Sequence, residues 1–255
     1  MKVLLFDLED GSKTLGGKKI IKDMFGLPVL CPSTYPQFKD TLMKLYTIKT
    51  VEEKESIISG IEVTTKKNKT IPIEGINIDA LVLDTFSELS KKYQRELSSK
   101  NRTNAMKIQD WGKLKNTLDG LLEFLSHLPG ILIMNVHAKI TSLDDGTTKM
   151  LPYIDGSTKE DISKWFDFVF YTKTIENAKG EMVYVWHTQH SDRYAHAKDR
   201  TQLLDKEINQ DFQIPIKAAK KRGFESVKVL VIGEPGTGKT LSLKTLTNKE
   251  NNNGN

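Results

Sequence analysis

The sequence predicts an α/β fold built on a mostly parallel sheet. Apolar runs of strand length alternate with longer segments of helical spacing, the pattern of strands joined by crossover helices. Val3 to Phe6, Ala80 to Asp84, Ile131 to His137 and Val227 to Ile232 are nearly continuous in apolar residues, as buried strands are. A chain of 255 residues with 38% hydrophobic content can bury one substantial core, so a single domain over 1–255 is expected.

The elements follow in order. Val3 to Phe6 ends in the acidic turn Asp7-Leu8-Glu9-Asp10-Gly11, and Leu27 to Cys31 reads as a second strand. Pro32-Ser33-Thr34 resembles a helix start, and Phe38, Leu42 and Leu45 follow at helical spacing. Ile61, Val63, Ile71 and Ile73 around Lys66-Lys67-Asn68-Lys69 predict a small basic-tipped hairpin insertion at 57–73. Ala80 to Asp84 is the strongest strand of the middle region; one helix follows it and another runs from about Met106 to Leu128. Thr141 to Lys159 is polar and predicts a mobile loop. Phe166 to Thr172 and Met182 to Gln189 predict two strands joined by a turn at Asn177 to Gly180, so the later sheet is more antiparallel.

Bulk properties narrow the setting. The net charge of +5 suits a polyanionic partner without requiring one. A single cysteine, Cys31, excludes an internal disulfide and a cysteine-based zinc site. No apolar run approaches a membrane span and the opening residues do not resemble a secretory signal, so a cytoplasmic protein with no membrane partner is expected.

Gly233-Glu234-Pro235-Gly236-Thr237-Gly238-Lys239-Thr240 spaces two glycines by four residues and then places Lys and Thr. Glycines let backbone N–H groups turn inward around a β-phosphate. Lys239 can reach the β- and γ-phosphates, and the Thr240 hydroxyl can bind Mg²⁺. An apolar strand leads in, and a helix from Thr240 to about Asn248 leads out, its N-terminal dipole adding to the anion site. ATP and Mg²⁺ are the expected ligands.

This loop comes late in the sequence, in the unit 227–250, yet its strand must be central in the sheet. Reading the end of the sequence into its beginning restores a βαβ unit that closes on Val3 to Phe6. A circularly permuted order, with the termini adjacent in space, is therefore expected. The rival arrangement, a second domain beginning at Val227, has too little chain to bury a core.

Carboxylates suit the loop's chemistry. Asp84 at the end of its strand is placed to hold Mg²⁺ or its water, or else to cap the following helix. Glu9, after the strand that follows the loop's helix in permuted order, is placed to orient water and accept its proton, although Asp7 and Asp10 share the same acidic turn. His137 ends its strand as a γ-phosphate sensor or as a structural residue.

In permuted order, GEPGTGKT, LLFDLEDG, LVLDTFSEL and ILIMNVHAK resemble the RecA/RadA superfamily of recombination ATPases. They are most similar to the phage-encoded AAA-type ATPases related to the Sak single-strand annealing proteins. The resemblance implies a RecA-like P-loop NTPase αβα sandwich, ATP hydrolysis, and action on single-stranded DNA in phage-type recombination or annealing, in a host cytoplasm. It carries the nucleotide loop onto Gly233 through Thr240, the metal aspartate onto Asp84 and the catalytic glutamate onto Glu9. Where the family places a glutamine sensor, this chain has His137. Lys198 and Arg200 resemble the basic motif that a subunit inserts into a neighbour's nucleotide site, which implies a homo-oligomer with sites at subunit interfaces; a solvated basic turn would look the same.

Two surfaces are candidates for the nucleic acid. One is the segment holding Lys91, Lys92, Arg95, Lys100, Arg102 and Lys107 beside Tyr93 and Trp111, although interleaved Glu88, Glu96, Asp110 and Asp119 equally suit a salt-laced helix. The other is the loop from Lys139 to Lys159. Two other functions fit the residues: a nucleotide-regulated annealing protein that scarcely hydrolyses, and a P-loop kinase, for which no arginine-rich lid is seen.

Overall fold

The computed structural model describes residues 1–58, 61–75, 77–142, 146–177 and 179–247, and for 50–58 and 61–69 the backbone alone. The strands are β1 (Val3–Asp7), β2 (Tyr46–Ile58), β3 (Ile61–Pro72), β4 (Ala80–Asp84), β5 (Ile131–Ser142), β6 (Thr148–Pro152), β7 (Phe168–Glu176), β8 (Met182–His187), β9 (Lys198–Asp199), β10 (Glu207–Asn209) and β11 (Val227–Gly233). The helices are α1 (Lys18–Phe25), α2 (Tyr35–Met43), α3 (Phe86–Ser99), α4 (Ile108–Ser126), α5 (Thr158–Asp161), α6 (Gln213–Lys221) and α7 (Lys239–Ser242), with short 3₁₀ turns at Gly11–Leu15, Ile162–Trp165 and Leu243–Thr247.

The main sheet runs β1-β4-β5-β11-β7-β8-β10. Its first five strands are parallel; β8 adds antiparallel to β7, and β10 antiparallel to β8. Successive side chains leave a strand on opposite faces, and both faces are buried here. Leu4, Phe6, Leu230 and Ile232 join Phe38, Phe86, Leu114 and Leu118 from α2, α3 and α4 on one side. Val3, Leu5, Val229 and Val231 join Phe25, Ile216 and Leu243 on the other. Two helical layers around one mostly parallel sheet result. Lys228 is the exception within β11: it is buried, and its ammonium donates to the Leu128 and Gly130 carbonyls at 2.6 and 3.2 Å.

Several expectations change. Leu27 to Cys31 is no strand; Leu30 alone bridges to Phe6, because Pro28 and Pro32 lack the N–H groups a ladder needs. The hairpin spans 46–72 rather than 57–73. Tyr46–Ile58 pairs with Ile61–Pro72, and the basic residues stand mid-strand, with Lys69 opposite Lys49 and Lys66 opposite Glu52. Tyr46, Thr47, Ile48, Thr50 and Val51, residue types enriched in strands, extend the first strand well before the expected start. The stretch from Thr141 to Lys159 is largely ordered: β6 pairs antiparallel with the end of β5, and Met150 and Ile154 anchor it in the core. Residues 143–145 of it lie outside the described residues. The helix after the phosphate loop tightens to 3₁₀ after one turn, where the Ser242 and Thr245 hydroxyls donate to carbonyls three residues back at 2.7 Å. The expected meeting of the termini involves 248–255 and also lies outside the described residues.

Candidate active site

β11 is flanked by β5 and β7, so its C-terminal end delivers the glycine loop to the middle of the sheet edge. Gly236 and Gly238 adopt φ of 79° and 86°, which side-chain-bearing residues rarely do. Gly233 allows the closest approach: a Cβ there would come within 1.6 Å of Thr172 Oγ1 on β7. Thr172 and Thr237 share a 2.6 Å hydrogen bond that ties the loop to β7.

Lys239 is only 6% exposed, and its ammonium donates to the Gly233 and Glu234 carbonyls at 2.8 Å each. Burial pulls its pKa down, while the charges of Asp84, Glu9 and Glu234 hold it up in part. The two carbonyls and the nearby carboxylates hold the ammonium in place at the loop.

Asp84 ends β4 almost wholly buried. It accepts hydrogen bonds from the Thr240 hydroxyl at 2.7 Å and the Asn135 amide at 3.1 Å. Burial pushes its carboxyl up against those two bonds, and the Glu9 and Asp7 charges push the same way. It does not cap α3; Thr85 does, accepting from the Glu88 N–H. Among the described residues no three His, Cys, Asp or Glu side chains converge as a metal cage. Mg²⁺ does not need one, since it keeps most of its waters and takes one or two protein oxygens. Thr240 and Asp84 offer two at one point.

Within the acidic turn the three carboxylates separate. Asp7 is buried and accepts from the Glu9, Gly11 and Ser12 N–H groups, which shapes the turn. Asp10 points outward and pairs with Lys13. Glu9 alone enters the cleft, where its Oε2 meets His137 Nε2 at 2.7 Å and accepts from Thr85 Oγ1 at 3.4 Å. Burial pushes the Glu9 carboxyl up, yet the hydrogen bond and charge of His137, the charge of Lys239 and the Thr85 bond bring it below the usual range.

Glu9, His137, Lys239, Thr240 and the loop residues Pro235, Gly236 and Gly238 thus line one cleft of about 280 Å³, which Gly11, Thr14, Tyr184 and Leu241 complete. The structure does not bring Lys198 and Arg200 there. They lie beside the start of β7, at the other end of the parallel strands. Lys198 is half-buried, donating to the Ser163 carbonyl at 2.6 Å, and burial lowers its pKa to about 8. Arg200 is half-exposed and pairs with Asp167 at 3.1 Å. Sequence reasoning missed Asn135, Thr172, Tyr184 and Gln210. Only Asn135 carried a signal, as a lone amide in an apolar run.

A strand that delivers a glycine-rich phosphate loop to the centre of a parallel sheet, faced by carboxylates from the ends of β1 and β4 in the same sheet, defines a P-loop nucleotide-binding protein. A family model described as an AAA domain matches residues 1–201, and the chain belongs to that family, the AAA-type P-loop ATPases. The matched span ends before β11. No curated protein and no solved structure matches the chain. No helix among the described residues is long and apolar enough to cross a membrane.

Proposed function

We propose that this protein is a Mg²⁺-dependent, RecA-like ATPase in circularly permuted order, and that it works on single-stranded DNA in phage-type recombination or annealing. The observation that carries hydrolysis is the convergence of Glu9 and Asp84 from the first part of the sequence on Lys239 and Thr240 from the last. Backbone N–H groups of the loop and the Lys239 ammonium would hold the polyphosphate. Thr240 and Asp84 would hold Mg²⁺, whose charge offsets that of the phosphates. Glu9, ionised at neutral pH, accepts a proton from the attacking water as its oxygen bonds the γ-phosphorus and the bridging bond to ADP breaks. His137 orients the Glu9 carboxylate through their shared hydrogen bond.

Permutation is supported by the sheet order. β11 stands between strands that precede it in the chain, and the AAA domain match begins at residue 1 and stops short of β11.

For DNA, the β5–β6 ribbon is the better supported surface. The Tyr153 ring has the Lys91 and Lys139 ammonium groups 4.9 and 5.9 Å from its centre, an aromatic platform flanked by cations. Lys100 after α3 and Lys113 and Lys115 on α4 pair with acids one turn away, as Lys91 does with Glu88 at 2.7 Å. An exposed Arg200 away from its own cleft suits a finger offered to a neighbouring subunit.

Mg·ATP turnover measured with and without single-stranded DNA, over a protein dilution series, tests the reading. Turnover should need Mg²⁺, rise with DNA and rise with protein concentration. Absence of any turnover would sink the ATPase; indifference to DNA would sink its substrate; a specific rate unchanged by dilution would sink the shared site.

A further inference from the structure

We propose that Tyr184 is the base platform of the nucleotide site, stacking its ring on the planar heteroaromatic base of the bound nucleoside triphosphate. The inference rests on the nucleotide-binding reading above and assigns the end of the cleft that the chemistry does not use.

Sheet order gives the cleft a direction. Glu9, Asp84 and His137 come from β1, β4 and β5, on one side of β11. Tyr184 and Gln210 come from β8 and the end of β10, on the other side. A triphosphate lying along the loop with its terminal phosphate toward the carboxylates therefore extends its nucleoside toward β8.

The Tyr184 ring is placed for that end. Alternation along β8 puts Tyr184 and Trp186 on the same face. Trp186 is fully buried against Phe170 and Phe212, with ring centres 5.1 and 4.7 Å away. Tyr184 continues that row outward to the phosphate loop, where a Cβ on Gly238 would lie 3.2 Å from its ring. It remains 41% exposed, and among the described residues no aromatic contact, ion pair or hydrogen bond engages its side chain. A ring set against Gly238 and open to solvent beyond it, at the mouth of a polar cleft, has surface to offer a ligand. Leu241, also 41% exposed, lines the same mouth and supplies a second apolar surface.

Gln210 fixes the platform's relation to the loop. Its amide donates to the Thr237 and Val185 carbonyls at 3.0 and 3.2 Å, bridging the phosphate loop to the residue after Tyr184. The ring and the phosphate cradle are thereby held at one spacing, as a ligand with a base at one end and phosphates at the other requires.

Calorimetric titration with Mg·ATP and with Mg·tripolyphosphate, which has the phosphates and no base, separates the two ends of the site. Tyr184→Ala should weaken ATP about tenfold, the size of one lost stacked base, and leave tripolyphosphate unchanged. Tyr184→Phe should bind both as the native protein does. Equal weakening of both ligands, or of neither, would overturn the platform. So would native protein that holds ATP no tighter than tripolyphosphate. Native protein that binds neither would remove the nucleotide reading itself, and this inference with it.

Discussion

The Thr240 hydroxyl donates to Asp84 Oδ2 at 2.7 Å, joining residues 156 positions apart in the sequence. This is the contact through which the late phosphate loop and the early carboxylates become one site. A carboxyl whose folded pKa is raised binds more protons folded than unfolded. Its stabilising contribution is present at low pH and is lost as pH rises through that raised value. Above that value the ionised Asp84 carboxylate is a cost to the ligand-free protein. Asp84→Asn should raise the ligand-free melting temperature by about 2–4 °C, the shift that 1 kcal/mol brings in a domain of this size. Mg·ATP turnover should fall at least about a hundredfold. Scanning calorimetry beside a coupled ATPase assay checks both, and a lowered melting temperature would refute the first.

Glu9 should carry the proton. Glu9→Gln is expected to reduce turnover by about 10²- to 10⁴-fold while nucleotide binding survives. Its depressed pKa owes its fall to His137, Lys239 and Thr85 working against burial. The stability Glu9 contributes is present above its unfolded value and lost as pH falls through the folded one. Removing the ring in His137→Ala should therefore move the acidic limb of kcat/KM to higher pH. A limb that stays in place would mean that another group sets it.

Packing at Gly233 should be measurable apart from catalysis. Gly233→Ala forces a methyl onto Thr172 and should destabilise by about 1–3 kcal/mol or more. Thr172→Gly removes the obstructing side chain, so the double variant should recover part of that loss. Urea denaturation of the four proteins gives the coupling, and strict additivity would count against the clash.

Stability should also rise in mild alkali. Burial lowers Lys228 to about 8, against the Asp167 charge. Between that value and the ordinary lysine range the unfolded chain binds more protons, so unfolding free energy increases with pH there. Lys198, also lowered to about 8, adds to the effect. Denaturation between pH 7 and 9.5 should show the rise, and Lys228→Met should flatten it.

Much of the framework could be read from residues. Strands covered on both faces are nearly continuous in apolar residues, so β1, β4, β5 and β11 stood out, and the glycine loop identified itself. Legibility failed where a segment's neighbours decide its state. Thr148–Pro152 has few apolar residues and becomes a strand only because the end of β5 lies beside it. Leu27 to Cys31 has the composition of a strand but not the N–H groups. Nothing local separates Glu9 from Asp7; the backbone turn that uses up Asp7 does. Tyr184 and Gln210 reach the loop only through the order of strands in the sheet.

That order bears on synthesis. β5 and β7 leave the ribosome before β11, which must enter between them, so the nascent sheet has a gap at its middle for as long as β11 is untranslated. Both inner edges stay open to mispairing until then, and a chaperone that shields unpaired strand edges would act on this gap.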